Sequence, residues 1–235
     1  MSKTVLVIGA HSDDETLGAG GAIARHIAEG DTVYAMMFTT GLASRDGLEN
    51  TTYRSDEQYS TLKTAILRRE EHADAAARVL GFSWYARHDM PDNAMDTVPL
   101  LDVVKHVEEA IDDLKPELVY THHGGDLNID HAVVYRAVMT ATRPLPEQIV
   151  REVRLMEVPS STEFSLTPFV PNLWVELTHE QAAKKHLALG CYKDELRSYP
   201  HPRSHEAIGY NEMRRAIEGG VEHLAEAFNV VRRRV

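Results

Sequence analysis

Two short stretches concentrate the residues that could do chemistry. Residues 10–15 read Ala-His-Ser-Asp-Asp-Glu, and residues 121–131 read Thr-His-His-Gly-Gly-Asp-Leu-Asn-Ile-Asp-His. A His, an Asp and a distant second His match the donors of a catalytic zinc site, which uses three N or O ligands and leaves a position for water. On that ground His11, Asp14 and His131 are assigned as ligands. Asp13 remains as a free carboxylate beside the metal, suited to take a proton from water. Each stretch also has a plainer reading. Asp13, Asp14 and Glu15 alone could cap a helix, and His122 and His123 could be satisfied polar residues at a strand end. Two such clusters in one chain make the joint reading, a metal centre, the stronger one.

Such clusters need a scaffold that brings them together. Residues 3–9 (KTVLVIG) form an apolar, β-branched run bounded by polar residues and Gly, the pattern of a fully buried parallel strand. After a Gly-rich turn, residues 19–29 read as a helix closed by Gly30, and residues 32–39 as a second strand, completing a βαβ unit. The pattern continues with helices over 61–80, 98–114 and 130–142 and strands over 82–87, 117–121, 151–158 and 173–177. Two last helices are expected over 180–193 and 211–228. Residues 41–60 read as a long polar loop, and Pro200 and Pro202 exclude regular structure around His201. The fold class expected is α/β, a Rossmann-like, mostly parallel sheet flanked by helices in a single domain over 1–235. Both clusters follow strands. In open α/β sheets, ligands bind outside the carboxyl ends of strands, so the two clusters should meet there.

Composition narrows the function classes. The 25 Lys and Arg stand against 36 Asp and Glu, a net charge of −11, which argues against nucleic acid as a partner. The Arg232–Arg234 run reads as a solvated end. The one cysteine, Cys191, excludes an intrachain disulfide and a Cys-based zinc site. The apolar run near the N-terminus is too short for a signal peptide, and no run is long enough to span a bilayer, so a cytoplasmic protein with no membrane partner is expected. Apolar stripes on the last two helices could pack on the domain itself or on a second copy, as in a homo-oligomer.

The paired motifs resemble those of the PIG-L/LmbE-like N-acetylglucosaminyl deacetylases. That family carries Ala-His-Pro-Asp-Asp-Glu after the first strand and a later Asp-His unit. The resemblance extends to the Gly-rich stretch 18–21, to Leu80-Gly81 and to the segment 201–204. It implies a zinc-dependent deacetylase acting on an N-acetyl sugar or sugar conjugate, with one Zn2+ on His11, Asp14 and His131 and Asp13 as general base. Ser12 replaces the family's usual Pro. Asn128 stands where many members have a His that stabilises the tetrahedral intermediate or donates a proton. An amide can donate a hydrogen bond to an oxyanion but is no general acid. His201 is therefore the first candidate for that acid or oxyanion partner, and His123 the second. Asp130 is expected either to orient a ligand ring or to cap a helix. Arg45, Arg203 and, by resemblance, Arg69 are candidate substrate contacts, with His123 beside them. Several converging arginines would suit an anionic, nucleotide-linked sugar.

Other readings stay open. An amidohydrolase of the same class could act on a thiol-cofactor or antibiotic precursor. A non-catalytic metal-binding module would not need Asp13. A dinucleotide-binding oxidoreductase would need G-x-G-x-x-G in the first turn, and Gly18-Ala-Gly-Gly21 does not supply it.

Overall fold

The computed structural model describes residues 2–40 and 56–234. Seven strands form one sheet: β1 (Thr4–His11), β2 (Thr32–Thr39), β3 (Ser83–Arg87), β4 (Leu118–His122), β5 (Glu152–Met156), β6 (Leu173–Leu177) and β7 (Leu224–Arg233). Their order is β3-β2-β1-β4-β5-β7-β6. The first five run parallel, and β7 is antiparallel to both of its neighbours. This is the α/β, mostly parallel sheet expected.

Alternate residues of β1 feed two separate cores. Val5 and Val7 face one side, where they pack with α1 (Asp14–Ala28), α2 (Asp56–Leu80) and α5 (His179–Leu189). Leu6 and Ile8 face the other, against α3 (Leu100–Leu114) and α4 (Ile129–Ala141). A strand covered on both faces has no use for polar alternation, hence the unbroken apolar run.

Four expectations need correction. The Gly-rich stretch is not a turn ahead of the first helix. It lies inside α1, which begins at Asp14 and breaks at Ala19 (φ −144°, ψ 16°). Close packing explains it: a Cβ on Gly18 would stand 2.6 Å from Met156 Sδ, and one on Gly21 2.3 Å from Leu177 Cδ1. The restarted helix presents the amides of Gly21 and Ala22 to the buried carboxylate of Glu226, at 2.9 and 2.7 Å. The last helix is also displaced. α6 spans His205–Gly219, and residues 224–228, read as its end, begin β7. Gly220, in the left-handed conformation (φ 64°), stops the helix. The same strand takes up Arg232 and Arg233 of the supposed solvated end, and Arg232 Nη1 bonds Thr142 O. Finally, α2 starts at Asp56, so the polar loop is shorter than read; Arg45 lies outside the described residues.

Candidate metal centre

β1 and β4 are hydrogen-bonded neighbours, and their carboxyl ends carry His11 and His122. α1 starts directly beyond β1 and contributes Asp14, while the first turn of α4 contributes His131. His11 Nδ1, Asp14 Oδ2 and His131 Nε2 form a triangle with sides of 3.2, 3.3 and 3.4 Å. All three residues are buried. The far nitrogen of each ring meets a carboxylate. His11 Nε2 lies 3.1 Å from Asp130 and 3.4 Å from Asp92, and His131 Nδ1 lies 3.2 Å from Asp126. This fixes which nitrogen of each ring turns inward, as metal-binding histidines require.

The electrostatics suit a cation. Burial alone would lower the pKa of both rings, yet the carboxylates raise them: His11, on Asp130 and Asp14, well above its ordinary value, and His131, on Asp14 and Asp126, also above it. Burial alone would raise the Asp14 pKa, but His131, His122 and His11 hold it well below the usual carboxylate range. Asp14 Oδ1 is buried without a hydrogen-bond partner among the described residues. A buried carboxylate oxygen with no donor fits an ion better than it fits a closed polar network.

Asp13 is held differently. It precedes α1 with φ 148°, a conformation rare for any residue but Gly, and its side chain makes no cap bond. Glu15 Oε2 accepts from the Asp13 amide at 3.1 Å and so helps to fix that turn. Burial pushes the Glu15 carboxyl up to about 7. Asp13 Oδ2 lies 2.9 Å from Arg203 Nη1 and 3.5 Å from Arg69 Nη2, while Asp13 Oδ1 is buried and unpartnered among the described residues. Two of the three candidate substrate arginines, Arg69 and Arg203, thus turn inward onto the candidate base.

The remaining assigned residues separate. Asn128 caps α4. Its Oδ1 accepts from the amides of Asp130 and His131, and its Nδ2 donates to Asn93, so the amide read as an oxyanion donor is engaged locally. Capping therefore does not fall to Asp130, whose carboxylate accepts from the amides of Asn93 and Met95 and orients His11. His201 is exposed, and its Nδ1 accepts from the amide of Arg203. His123 is buried, with its Nε2 3.2 Å from Thr167 O and its edge against Phe169. His122 stacks on His131 with ring centroids 3.8 Å apart and accepts from the Ala10 amide at 2.8 Å. It braces a ligand ring as well as ending a strand. The sequence reading passed over Asp92, Asp126 and Glu195. Only Asp126 carried a signal, its place in the second cluster.

Comparison with known proteins gives the chain's family and fold. The family model for PIG-L, described as GlcNAc-PI de-N-acetylase, matches residues 6–142. The uncharacterized deacetylase YaiS of Escherichia coli (strain K12) is 29% identical over 196 residues, covering 81% of this chain and 91% of that protein. Among solved structures, the N,N'-diacetylchitobiose deacetylase of Pyrococcus horikoshii superposes with a TM-score of 0.72 at 19% identity, over 98% of this chain and 84% of that one. GalB of Pseudomonas putida KT2440, a 4-carboxy-2-hydroxymuconate hydratase, superposes with a TM-score of 0.73 at 22% identity, over 99% and 98%. One fold thus carries a deacetylase and a hydratase. The matched segment spans more than half of the chain and both His-carboxylate clusters, and the chain belongs to the PIG-L family of de-N-acetylases.

Proposed function

We propose that the protein is a zinc-dependent hydrolase that removes the N-acetyl group from an N-acetylglucosamine-type sugar or sugar conjugate. The observation that carries this reading is the triangle of His11 Nδ1, Asp14 Oδ2 and His131 Nε2. Its sides of 3.2–3.4 Å lie close to the edge of a zinc tetrahedron, about 3.3–3.6 Å for metal–ligand bonds of about 2.0–2.2 Å. Two imidazoles and one carboxylate favour zinc over the oxygen-loving Mg2+ or Ca2+. When bound, the ion supplies Lewis-acid chemistry, acidifying water and polarising the amide carbonyl.

The rest falls to the chain's own residues. Asp130 and Asp126 hold the two rings. Arg203 and Arg69 hold Asp13 Oδ2, leaving Oδ1 to take a proton from water. Because an amide such as Asn128 is no general acid and His201 stands at the surface, the same Oδ1 returns the proton to the departing amine. Metal analysis of the purified protein and acetate release from a panel of N-acetyl sugars test the reading. Zinc near one equivalent per chain with acetate released is expected. Metal-free protein that cannot be loaded, or no release across the panel, overturns it.

A further inference from the structure

Arg69 and Arg203 lie beside the candidate base, where an anionic substrate would need them. They are already taken. Arg69 Nη1 and Arg203 Nη1 both meet the carboxylate of Glu195, the second at 3.2 Å, while both guanidiniums also reach Asp13 Oδ2. The rest of Arg69 bonds Ser12: Nε to its Oγ at 3.2 Å and Nη2 to its carbonyl at 2.9 Å. Arg203 Nε bonds Ser160 Oγ at 2.8 Å and Pro159 O at 3.2 Å. Two cations therefore face two anions, with side-chain exposures of 5% and 12% for the arginines and 2% and 6% for Asp13 and Glu195. Asp13 belongs to the machinery. Glu195 accepts from both arginines and is no member of the ligand triangle of His11, Asp14 and His131.

We infer that Glu195 is a specificity-determining residue: it reserves both guanidiniums for Asp13, closes them to phosphate, and so makes this part of the site favour an uncharged over a phosphorylated N-acetyl sugar. The inference rests on the deacetylase reading and narrows its substrate class. An incoming phosphate would have to displace a buried carboxylate from charge-assisted bonds that a bidentate anion could at best replace. The chain's net charge of −11 supplies no field to help it. Converging arginines, which in sequence suit an anionic sugar, have the opposite meaning once their carboxylate is seen. Glu195→Gln keeps the shape but leaves two guanidiniums facing one carboxylate, which converts the spot into an anion site.

The test compares kcat and KM for methyl N-acetylglucosaminide, N-acetylglucosamine 1-phosphate and the UDP-linked sugar. The wild-type protein should prefer the neutral glycoside. Glu195→Gln should improve the phosphorylated substrates relative to it by about tenfold or more, mainly through KM. Glu195→Asp, which keeps the charge, should retain the wild-type preference. A wild-type preference for the phosphorylated sugars overturns the inference without any variant. A second readout needs no turnover. In calorimetric titration, Glu195→Gln should bind inorganic sulfate at least tenfold more tightly than the wild-type protein. Equal binding overturns the inference, including where failed acetate release has already removed the deacetylase reading.

Discussion

His11 and His131 each carry a carboxylate on the side of the ring that faces away from the other. Asp126 accounts for the second of these, and it is itself clamped by Ser161 Oγ and Thr162 Oγ1. Its carboxyl sits well below the usual range because, against burial, His131 and Ser161 favour the charged form. Asp126→Ala should therefore leave the fold intact but weaken zinc affinity by about 10–100-fold, read by competition with a chelator. Asp13→Asn separates binding from chemistry. Metal content should be unchanged, while acetate release falls by about 10²–10⁴-fold. Unchanged turnover would remove Asp13 from the role of base. In sequence, the clusters around His11 and His131 were legible because each is contiguous and each follows a strand. Asp92 and Glu195 were not, because an isolated acidic residue gains meaning only from the ring or guanidinium it meets. Asn128 was legible as an unusual amide ahead of Asp130-His131, but the sequence could not say that its oxygen would be turned toward the backbone.

Between elements, one buried charge network replaces apolar packing. Lys185 of α5 lies 2.8 Å from Glu226 of β7 and 3.2 Å from Glu212 of α6. Burial alone would lower the lysine's pKa; the two carboxylates raise it instead. Glu226 in turn accepts the amides exposed where α1 breaks, so three helices and a strand meet on four side-chain oxygens and one ammonium. Lys185→Met removes the ammonium shared by Glu226 and Glu212, and leaves Glu212 with the His186 ring at 3.1 Å in its place. A loss of about 3–5 kcal/mol is expected in urea unfolding at neutral pH. A loss below about 1 kcal/mol would mean that water reaches the carboxylates. The network also explains an error of reading. Glycine lowers helix propensity, so the stretch 18–21 looked like a turn. The helix survives there because its freed amides are met by Glu226 and because Met156 and Leu177 need the room.

One buried ring takes stability from the whole molecule in a defined acid window. His88 stacks on Phe38 and lies against His106, and burial, followed by the neighbouring imidazole, lowers its pKa from 6.5 to about 4. Above pH 6.5 neither the folded nor the unfolded form carries this charge. Between about 6.5 and 4 the unfolded chain takes up a proton that the folded chain refuses, so stability falls with pH across that interval. Glu15, raised to about 7, acts in the opposite sense over much of the same window, so the readout is a difference: the thermal midpoint of His88→Phe should gain on that of the wild-type protein as the pH falls from about 6.5 to 4. An identical pH profile in the variant would refute the assignment. At this scale the parallel half of the sheet was legible, since strands buried on both faces announce themselves as apolar runs. The antiparallel end was not: β7 carries Glu226, Asn229, Arg232 and Arg233 among small and apolar residues, and its first residues continue a helical pattern. That strand has a consequence for the order of assembly. β6 pairs with β7 alone, and residues 178–223 lie between them. On a ribosome, β6 emerges well before β7 exists to receive it, and Leu173, Val175 and Leu177 must wait for the strand that joins them to the sheet. Vectorial synthesis can complete β1 to β5 in sequence, but the last two strands must dock as a pair. Until they do, β5 remains an open edge, and the half-made chain offers both a template and a stray strand to its neighbours on a polysome.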